Sequence, residues 1–275
     1  MADLVGESSL RTVLAITAGK EARMPGTMFE NFSNAEHGEL HVEFDLRSQL
    51  IAIRHFLSRN RAAEAEVSAQ IQRLADSAKA ASGEHAEHLV DLWVDEMHGS
   101  VFHDGVNSVA AVGMLAPLVE ALFVQMFKHL GKSAHPGPTA HAREVIAHAE
   151  LWDPHQFYRR GSRDPNFIEG ALQLAEMTGL SSKLPTDTKQ VLTALFTYRN
   201  AMLHSGLEWP EEARARFERR HGAEWPKAWF SSSRSGGAPW IFYMTPAFVE
   251  RCLTFVEELM DAFGGMTRRD GGGGS

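Results

Sequence analysis

The chain has 275 residues, of which 44% are hydrophobic, and it includes six Trp and sixteen Phe. This composition is sufficient for a sizeable core and excludes a disordered protein. The net charge of −8 argues against a protein that coats nucleic acid through bulk electrostatics, but does not exclude a nuclease with a small basic site.

The terminal segments and the single cysteine bear on the compartment. No window approaches eighteen uninterrupted apolar residues, so we predict no membrane span. The first residues lack a basic segment followed by an apolar one, which argues against a secretory signal. Cys252 is the only cysteine, and it suits a reducing compartment. We therefore expect a cytoplasmic protein. The final Gly-Gly-Gly-Gly-Ser is typical of an expression linker.

Helices are predicted for most of the first hundred residues. After a Gly-interrupted segment with one short strand near 11–17, helix formers dominate from 39 to 81, where we predict two helices. A third is predicted at 84–97, with breaks at 82–83 and 98–100. The first helix has apolar residues at spacings of four, three and four, which indicates one buried face: Leu46, Leu50, Ile53 and Leu57. The third is expected to face inward through Leu89, Leu92 and Trp93.

The segment 106–130 is the most apolar in the chain. Its apolar residues cover more than one helix face, which is typical of a helix in the centre of a bundle or in a subunit interface. Pro117 is expected to kink it. The following segment 134–138 is predicted to be a loop. The inward residues are expected to be Leu115, Leu118, Val119, Leu122, Phe123 and Met126.

The second half alternates helices with one hairpin. Short helices are predicted at 139–150 and Phe167–Met177, a strong helix at 186–204 closed by Ser205-Gly206, and a charged helix at Glu211–Arg220. The segment 229–244 has apolar ends around a Ser- and Gly-rich centre, which predicts a β-hairpin. A final helix is predicted at 245–263, with these residues inward: Phe248, Cys252, Phe255, Val256, Leu259 and Phe263.

The helix at 186–204 has a cation on its apolar side. Arg199 follows Leu192 by seven residues and Leu195 by four, so it lies on the same stripe, which also includes Phe196 and Leu203. Burying an unpaired guanidinium is costly, so this arginine needs a partner or a function. Asn200 and His204 are four residues apart and share a face with Phe196. Three polar side chains therefore gather at the end of an apolar helix.

The segment Tyr198-Arg-Asn-Ala-Met-Leu-His204 resembles the Arg-x4-His motif of the HEPN superfamily, in the form where Asn follows Arg. The resemblance covers residues 101–264. It implies an all-α, up-and-down bundle in which 186–204 is the third core helix and 245–263 the fourth, with 229–244 as a small β-hairpin insertion. Residues 1–100 are then an N-terminal helical extension, and 265–275 a tail.

The resemblance also implies an activity. Members of the family are metal-independent endoribonucleases that leave 2′,3′-cyclic phosphate ends, and no cofactor is expected. Arg199, Asn200 and His204 are the expected catalytic residues. Histidine exchanges protons near neutral pH and can act as base or acid. A guanidinium can bind phosphate oxygens in a fork. HEPN domains pair so that two motifs face one cleft, so we expect a homodimer.

Two further residues are expected to support this site. Glu120, on the apolar helix, is the natural partner of Arg199, and it is expected to position the guanidinium; a solvated glutamate is the alternative. Tyr198 is expected to support the motif from the same helix. If Arg199 only pairs with a buried carboxylate and His204 only ends a helix, the motif has no catalytic role.

Other features give weaker signals. The basic residues of the next helix are expected to contact the RNA backbone, or else to form salt bridges on a solvated face: Arg214, Arg216, Arg219 and Arg220. Four tryptophans at 209–240 either stack bases or pack the hairpin, and packing is favoured. The pairs His85 with His88 and His141 with His148 lack the third ligand that a metal site needs, so we predict none.

The resemblance therefore implies an endoribonuclease in bacterial defence, toxin–antitoxin or stress biology, with RNA as its substrate. A cognate antitoxin or defence-system protein is the expected partner. The alternatives are a non-catalytic HEPN module that binds a nucleotide or scaffolds a complex, and a purely structural helical dimer.

Overall fold

The computed structural model describes residues 45–133, 151–159 and 162–270, with only the backbone described at 132–133 and 265–270. The strand expected near 11–17, the loop at 134–138, the helix at 139–150 and the linker at 271–275 lie outside these residues. Helices dominate the described chain, as predicted. The described α-helices are α1 Leu46–Ala80, α2 Glu84–Ser133, α3 Phe167–Met177, α4 Thr188–Ser205, α5 Glu211–Arg220 and α6 Pro246–Asp270.

The described strands form two antiparallel hairpins. The first joins β1 Gln156–Arg159 to β2 Ser162–Pro165. The second joins β3 Phe230–Ser235 to β4 Ala238–Met244, with a register shift between Ser232 and Arg234. The second hairpin is the one predicted at 229–244. The first was not predicted, because a polar strand with all four residues exposed, as in β2, has no apolar alternation to reveal it.

The described residues fall into two compact units, which interleave along the sequence. The first unit takes in 54–111 and 201–245, and the second takes in 45–53, 112–133, 151–159, 162–200 and 246–270. Helices α1, α2 and α4 each contribute residues to both units.

The second unit has an aliphatic and phenylalanine core. The six residues predicted to face inward from the apolar segment of α2 are all buried, and so are the six predicted in α6. In α4, Val191, Leu192 and Leu195 are fully buried. The predicted 3.6-residue patterns in α2 and α6 are therefore confirmed, and that of α4 is confirmed at Leu192 and Leu195.

Aromatic rings dominate the core of the first unit. Phe217 of α5 is at the centre, with ring centroids 5.0 Å from Trp209, 5.3 Å from Trp225, 5.0 Å from Phe230 and 4.9 Å from Phe242. These rings join α5 to the hairpin β3–β4. Three of the four tryptophans, at 209, 225 and 229, are buried, which confirms packing over base stacking for them.

Two predicted helix boundaries are wrong. Residues 46–80 form one helix of 35 residues, where two were predicted. The break at 98–100 is absent, because α2 continues through it for 50 residues. A single glycine costs a helix only about 1 kcal/mol, and the Ser100 hydroxyl donates to the Met97 carbonyl within the helix at 2.8 Å. The break at Ser82-Gly83 is confirmed, with Gly83 at φ 64°. Leu92 is also not inward, since 40% of it is exposed.

Helix α2 satisfies the length and composition criteria for a membrane-crossing helix over 84–131, with a mean hydropathy of 1.8 in its most apolar window. Half of that window is buried within the protein. This is weak evidence for a membrane span, since the core helix of a soluble protein meets the same two criteria.

Candidate active site

Arg199 lies at the edge of the core of the second unit. Its neighbour Tyr198 is fully buried, and Leu195, one turn earlier in α4, is fully buried as well. The arginine side chain itself is 32% exposed. The helix thus holds the stem of the side chain against the core and leaves part of the guanidinium accessible, as its position on the apolar stripe predicts.

The guanidinium of Arg199 has one loose ion pair. Its Nη2 is 4.0 Å from Oε2 of Glu120, which is beyond hydrogen-bond distance. Its Cζ lies 5.9 Å from the centre of the Phe196 ring. Among the described residues these are its contacts, so most of its N–H donors remain open to a ligand.

Glu120 is fixed by a second partner, His155. Oε1 of Glu120 lies 2.8 Å from Nε2 of His155, and Nδ1 of His155 lies 2.9 Å from Oδ1 of Asp153. The Glu120 side chain is 26% exposed, so it is not the solvated glutamate of the alternative interpretation. Four charged groups thus form a chain, from Asp153 through His155 and Glu120 to Arg199, which we call the charge chain.

A local turn brings His155 to this place. Oδ1 of Asp153 accepts the backbone N–H of His155 at 2.9 Å, a two-residue side-chain turn around Pro154. The His155 carbonyl accepts the backbone N–H of Asn166 at 2.9 Å, just before α3. The His155 ring lies 5.5 Å from the Phe167 ring. The turn and the start of α3 together fix the imidazole.

Helix α3 packs closely against strand β1, which begins directly after His155. Gln173 accepts from the backbone N–H of Tyr158 at 3.1 Å and donates to its carbonyl at 2.7 Å. A Cβ on Gly170 would lie 2.3 Å from the carbonyl oxygen of Pro154 and 2.6 Å from that of Gln156. Glycine is therefore required there for the backbone on both sides of His155 to approach the helix.

The electrostatics of the charge chain favour a protonated His155. Burial alone would lower the pKa of His155, but hydrogen bonds and charge from Glu120 and Asp153 outweigh it and raise the pKa above its usual value. Burial would raise the pKa of Asp153, but the backbone N–H and ring of His155 bring it below its usual value. Two carboxylates around one imidazole thus favour its charged form.

The other motif residues lie outside the charge chain. Asn200 and His204 are both exposed, and neither contributes a contact to it. Leu203, predicted on the apolar face, is 67% exposed, so that prediction is wrong. The helix ends just beyond, where Gly206 has φ 67° and its N–H donates to the Met202 carbonyl at 2.9 Å, as the Ser-Gly signal predicted. The buried stripe of α4 thus stops short of Leu203.

The basic residues of α5 separate into two kinds. Arg214 donates to the Pro239 carbonyl at 2.7 Å. Arg220 bonds Glu224 at 2.7 Å and lies 4.7 Å from the Trp225 ring. Arg216 and Arg219 are exposed. Two of the four predicted RNA-contacting arginines are therefore engaged in contacts within the protein.

Among the residues that the structure describes, the remaining candidates give no second site. His85 and His88 are exposed, and the described residues hold no group of three or more potential metal ligands. His141 and His148 lie outside the described residues. Cys252 is fully buried, and burial raises the pKa of its thiol, so it is unsuited to act as a nucleophile, as predicted.

Sequence reasoning missed Asp153 and His155. The Asp-Pro-His order was a local signal, since an aspartate can accept the backbone N–H two residues on. That signal predicts the turn. It does not predict the contact of His155 with Glu120, because Glu120 is 35 residues away in the chain. The chain matches none of the protein-family models, curated proteins or solved structures with which it was compared. A function is therefore inferred from the residues of this chain.

Proposed function

We propose that the protein is a metal-independent endoribonuclease of the HEPN type, with Arg199 as its phosphate-binding residue. The observation that supports this most is the state of the guanidinium. Within the described part of the chain it lies at the edge of the core, partly exposed, with a single carboxylate at 4.0 Å and open donors. A partly exposed guanidinium with open N–H donors suits a phosphodiester, whose oxygens accept two parallel hydrogen bonds.

The chemistry is transphosphorylation. One His204 removes the proton from a 2′-hydroxyl, and the 2′-oxygen then bonds to the adjacent phosphorus while the bond from phosphorus to the 5′-oxygen breaks. A second histidine protonates the leaving oxygen, which gives a 2′,3′-cyclic phosphate and a 5′-hydroxyl. Arg199 stabilises the charge that builds on the phosphoryl oxygens. Asn200 contacts the phosphate or orients the imidazole.

Helix geometry favours a homodimer for this reaction. Residues five apart on an α-helix project about 140° from each other, so Arg199 and His204 of one copy point in different directions. A second copy can supply the other histidine about a two-fold axis. Leu203, beside His204, is the most exposed of the large hydrophobic residues described, and a dimer contact would cover it. We propose RNA as the substrate, a cytoplasmic location, and a cognate antitoxin or defence-system partner.

The test is cleavage of total RNA by the purified protein in excess EDTA, with the ends of the products identified. Arg199→Ala and His204→Ala should each reduce cleavage by at least about 10²-fold, the scale of a lost catalytic group. Arg73→Ala and His88→Ala are matched controls, since both residues are exposed and lie outside the motif. Cleavage by His204→Ala at the wild-type rate would contradict the assignment. Products with 3′-hydroxyl ends would indicate a metal-dependent nuclease instead.

One observation favours the alternative of a non-catalytic module that binds a nucleotide. Among the described residues, none holds the ring of His204, whereas acid–base histidines are commonly oriented by a hydrogen bond to the second ring nitrogen. In that case the protein binds RNA through Arg199 and leaves it uncut, with or without EDTA.

A further inference from the structure

The two oxygens of Glu120 have unequal partners. Oε1 is at hydrogen-bond distance from His155, 2.8 Å, while Oε2 is 4.0 Å from Arg199. A carboxylate facing a guanidinium would ordinarily form a hydrogen-bonded pair at 2.7–2.9 Å. Glu120 is therefore hydrogen-bonded to His155 and not to Arg199.

This arrangement depends on the proton content of His155. Both ring nitrogens face carboxylate oxygens, at 2.8 and 2.9 Å, and an imidazole can donate from both only when it is protonated. A neutral ring keeps one donor. The turn favours donation of this ring N–H to Asp153, which also accepts the His155 backbone N–H. The lone pair on Nε2 would then face Oε1 of Glu120 and repel it.

We propose that His155 is a positioning residue for Arg199: the imidazolium holds Glu120 away and keeps the guanidinium open to a phosphodiester, and loss of its proton lets Glu120 close on Arg199. The inference rests on the proposed function only in taking a phosphodiester as the ligand. His155 itself need not touch that ligand, since it acts through Glu120.

The sign of the pH dependence follows from the charges that face the ring. Among the described residues these are Glu120 from α2 and Asp153 from its own turn, with Arg199 of α4 behind Glu120 and the uncharged Phe167 from α3. The two carboxylates raise the pKa of His155. Affinity for a phosphodiester is therefore highest while His155 is charged, and falls as the pH rises through that pKa.

The probe is a 2′-O-methyl RNA oligonucleotide, which cannot be cleaved because its 2′-oxygen is blocked. Its phosphodiesters keep a constant charge between pH 5.5 and 9, and fluorescence anisotropy measures its binding. Wild-type affinity should fall about three- to tenfold as the pH rises across this range. This is the scale of the competing charge-assisted contact that Arg199 gains with Glu120 at a half-exposed site. His155→Ala should bind at the weak level throughout, and Glu120→Gln should bind tightly throughout. Arg199→Ala should bind weakly at every pH, and His88→Ala should behave as wild type.

Two double variants separate positioning from simple charge. His155→Ala with Glu120→Gln and His155→Ala with Asp153→Asn remove the same charges from the charge chain. Only the first removes the carboxylate that can close on Arg199, so only the first should restore tight binding. Equal recovery in both overturns the proposal, because it means that net charge alone acts. Unchanged affinity and pH dependence in His155→Ala overturn it as well.

A second measurement keeps the test informative if His155→Ala unfolds. His155→Gln retains one donor and one acceptor, and it should also bind without the wild-type pH dependence. NMR also measures the pKa of His155, which should be lower in Glu120→Gln than in the wild type. An unchanged pKa overturns the proposal. Cleavage of unmodified RNA is scored separately. The predicted binding pattern without cleavage would contradict the endoribonuclease proposal and support the positioning role of His155. Cleavage with pH-independent binding would support the endoribonuclease and overturn the positioning role.

Discussion

Each unit contains half-buried carboxyl groups, and Asp153 and Asp187 of the second unit behave in the opposite way to Asp104 of the first. In the second unit, Asp153 has an imidazole partner and Asp187 has Arg251, and both carboxyl pKa values lie below their usual range. In the first unit, burial and the nearby Glu64 raise the pKa of Asp104 to about 7. Burial and charge thus compete, and the presence of a close cationic partner decides the direction.

The neighbours of Asp104 explain its state. Glu64 of α1 accepts a hydrogen bond from the side-chain amide of Asn107, and burial raises its own pKa. Tyr243 of β4 also faces Asp104, and burial raises the pKa of its hydroxyl. Arg61 acts on Glu64 but does not reverse the effect. The first unit therefore has, at Asp104, a carboxyl whose pKa is raised to about 7, whereas Asp153 and Asp187 of the second unit have lowered pKa values.

The largest expected effect comes from removing the charge of Asp104. Its folded pKa of about 7 lies above the unfolded value near 3.8, so the folded state binds more protons between these values. Stability then falls as the pH rises from about 4 to about 7, by up to about 4 kcal/mol at about 1.4 kcal/mol per pH unit. Asp104→Asn should remove this fall and be more stable than wild type at pH 8, as measured by urea unfolding.

The control for this prediction is Asp95→Asn, an exposed carboxyl on the same helix. It should leave the pH dependence between 4 and 7 unchanged. A wild-type protein whose stability rises over that interval would contradict the protonated state of Asp104.

The opposite case is Arg251, the cationic partner in the second unit. Its Nη2 is 2.6 Å and its Nε 2.8 Å from the two oxygens of Asp187, and its Nη1 is 2.8 Å from Glu258. Arg251→Gln should destabilise the protein at pH 7 by about 1.5–3 kcal/mol, the scale of hydrogen bonds to charged groups. Because the Asp187 pKa is lowered in the fold, this contribution is lost as the pH falls below about 4.

The measurement is the difference in unfolding free energy between wild type and Arg251→Gln at pH 7 and pH 3. Arg73→Gln, an exposed arginine, is the matched control and should change neither value. A difference that persists undiminished at pH 3 would contradict the role of the Asp187 carboxylate.

The sequence revealed helices better than it revealed contacts. The bounds of Glu211–Arg220 and Phe167–Met177 agree with the prediction, and all six inward residues of α6 are buried, because a 3.6-residue period is a local property. The prediction of a break at 98–100 is wrong, because a glycine adds flexibility without requiring a turn, and the residues around it can continue the helix.

The candidate site was only partly predictable for the same reason. The position of Arg199 on an apolar stripe required a partner, and Glu120 was the acidic residue on the apolar helix. His155 lies on a turn with no periodic relation to either residue, so only the fold could bring it to Glu120. Leu203 shared the apolar pattern of α4, but a pattern cannot tell where the covering layer ends.

A smaller effect tests how the turn with His155 is held. Gly170→Ala would place a Cβ 2.3 Å from a backbone carbonyl, so the turn must move. We expect a loss of about 1–3 kcal/mol, as for overpacking, and a changed His155 pKa by NMR. Gly99→Ala in α2 is the control, since a Cβ there meets nothing within 4 Å; it should stabilise by about 0.5–1 kcal/mol. Equal effects of the two substitutions would contradict the close approach at Gly170.

The smallest expected effect on folding concerns exposed apolar side chains, in which the two units also differ. The exposed large hydrophobic residues described all belong to the first unit: Phe56, Val90, Leu92, Val94, Val106, Val109 and Leu203. Leu203→Ser should change the unfolding free energy of the monomer by less than about 0.5 kcal/mol, because the side chain is 67% exposed. It should nevertheless weaken the proposed homodimer, since Leu203 adjoins His204, and sedimentation velocity at micromolar concentration would measure the shift to monomer. Leu92→Ser is the matched control, because Leu92 is 40% exposed but far from the motif in sequence. If Leu92→Ser dissociates the dimer and Leu203→Ser does not, the two copies associate through the early part of α2, and each motif must work without a facing histidine.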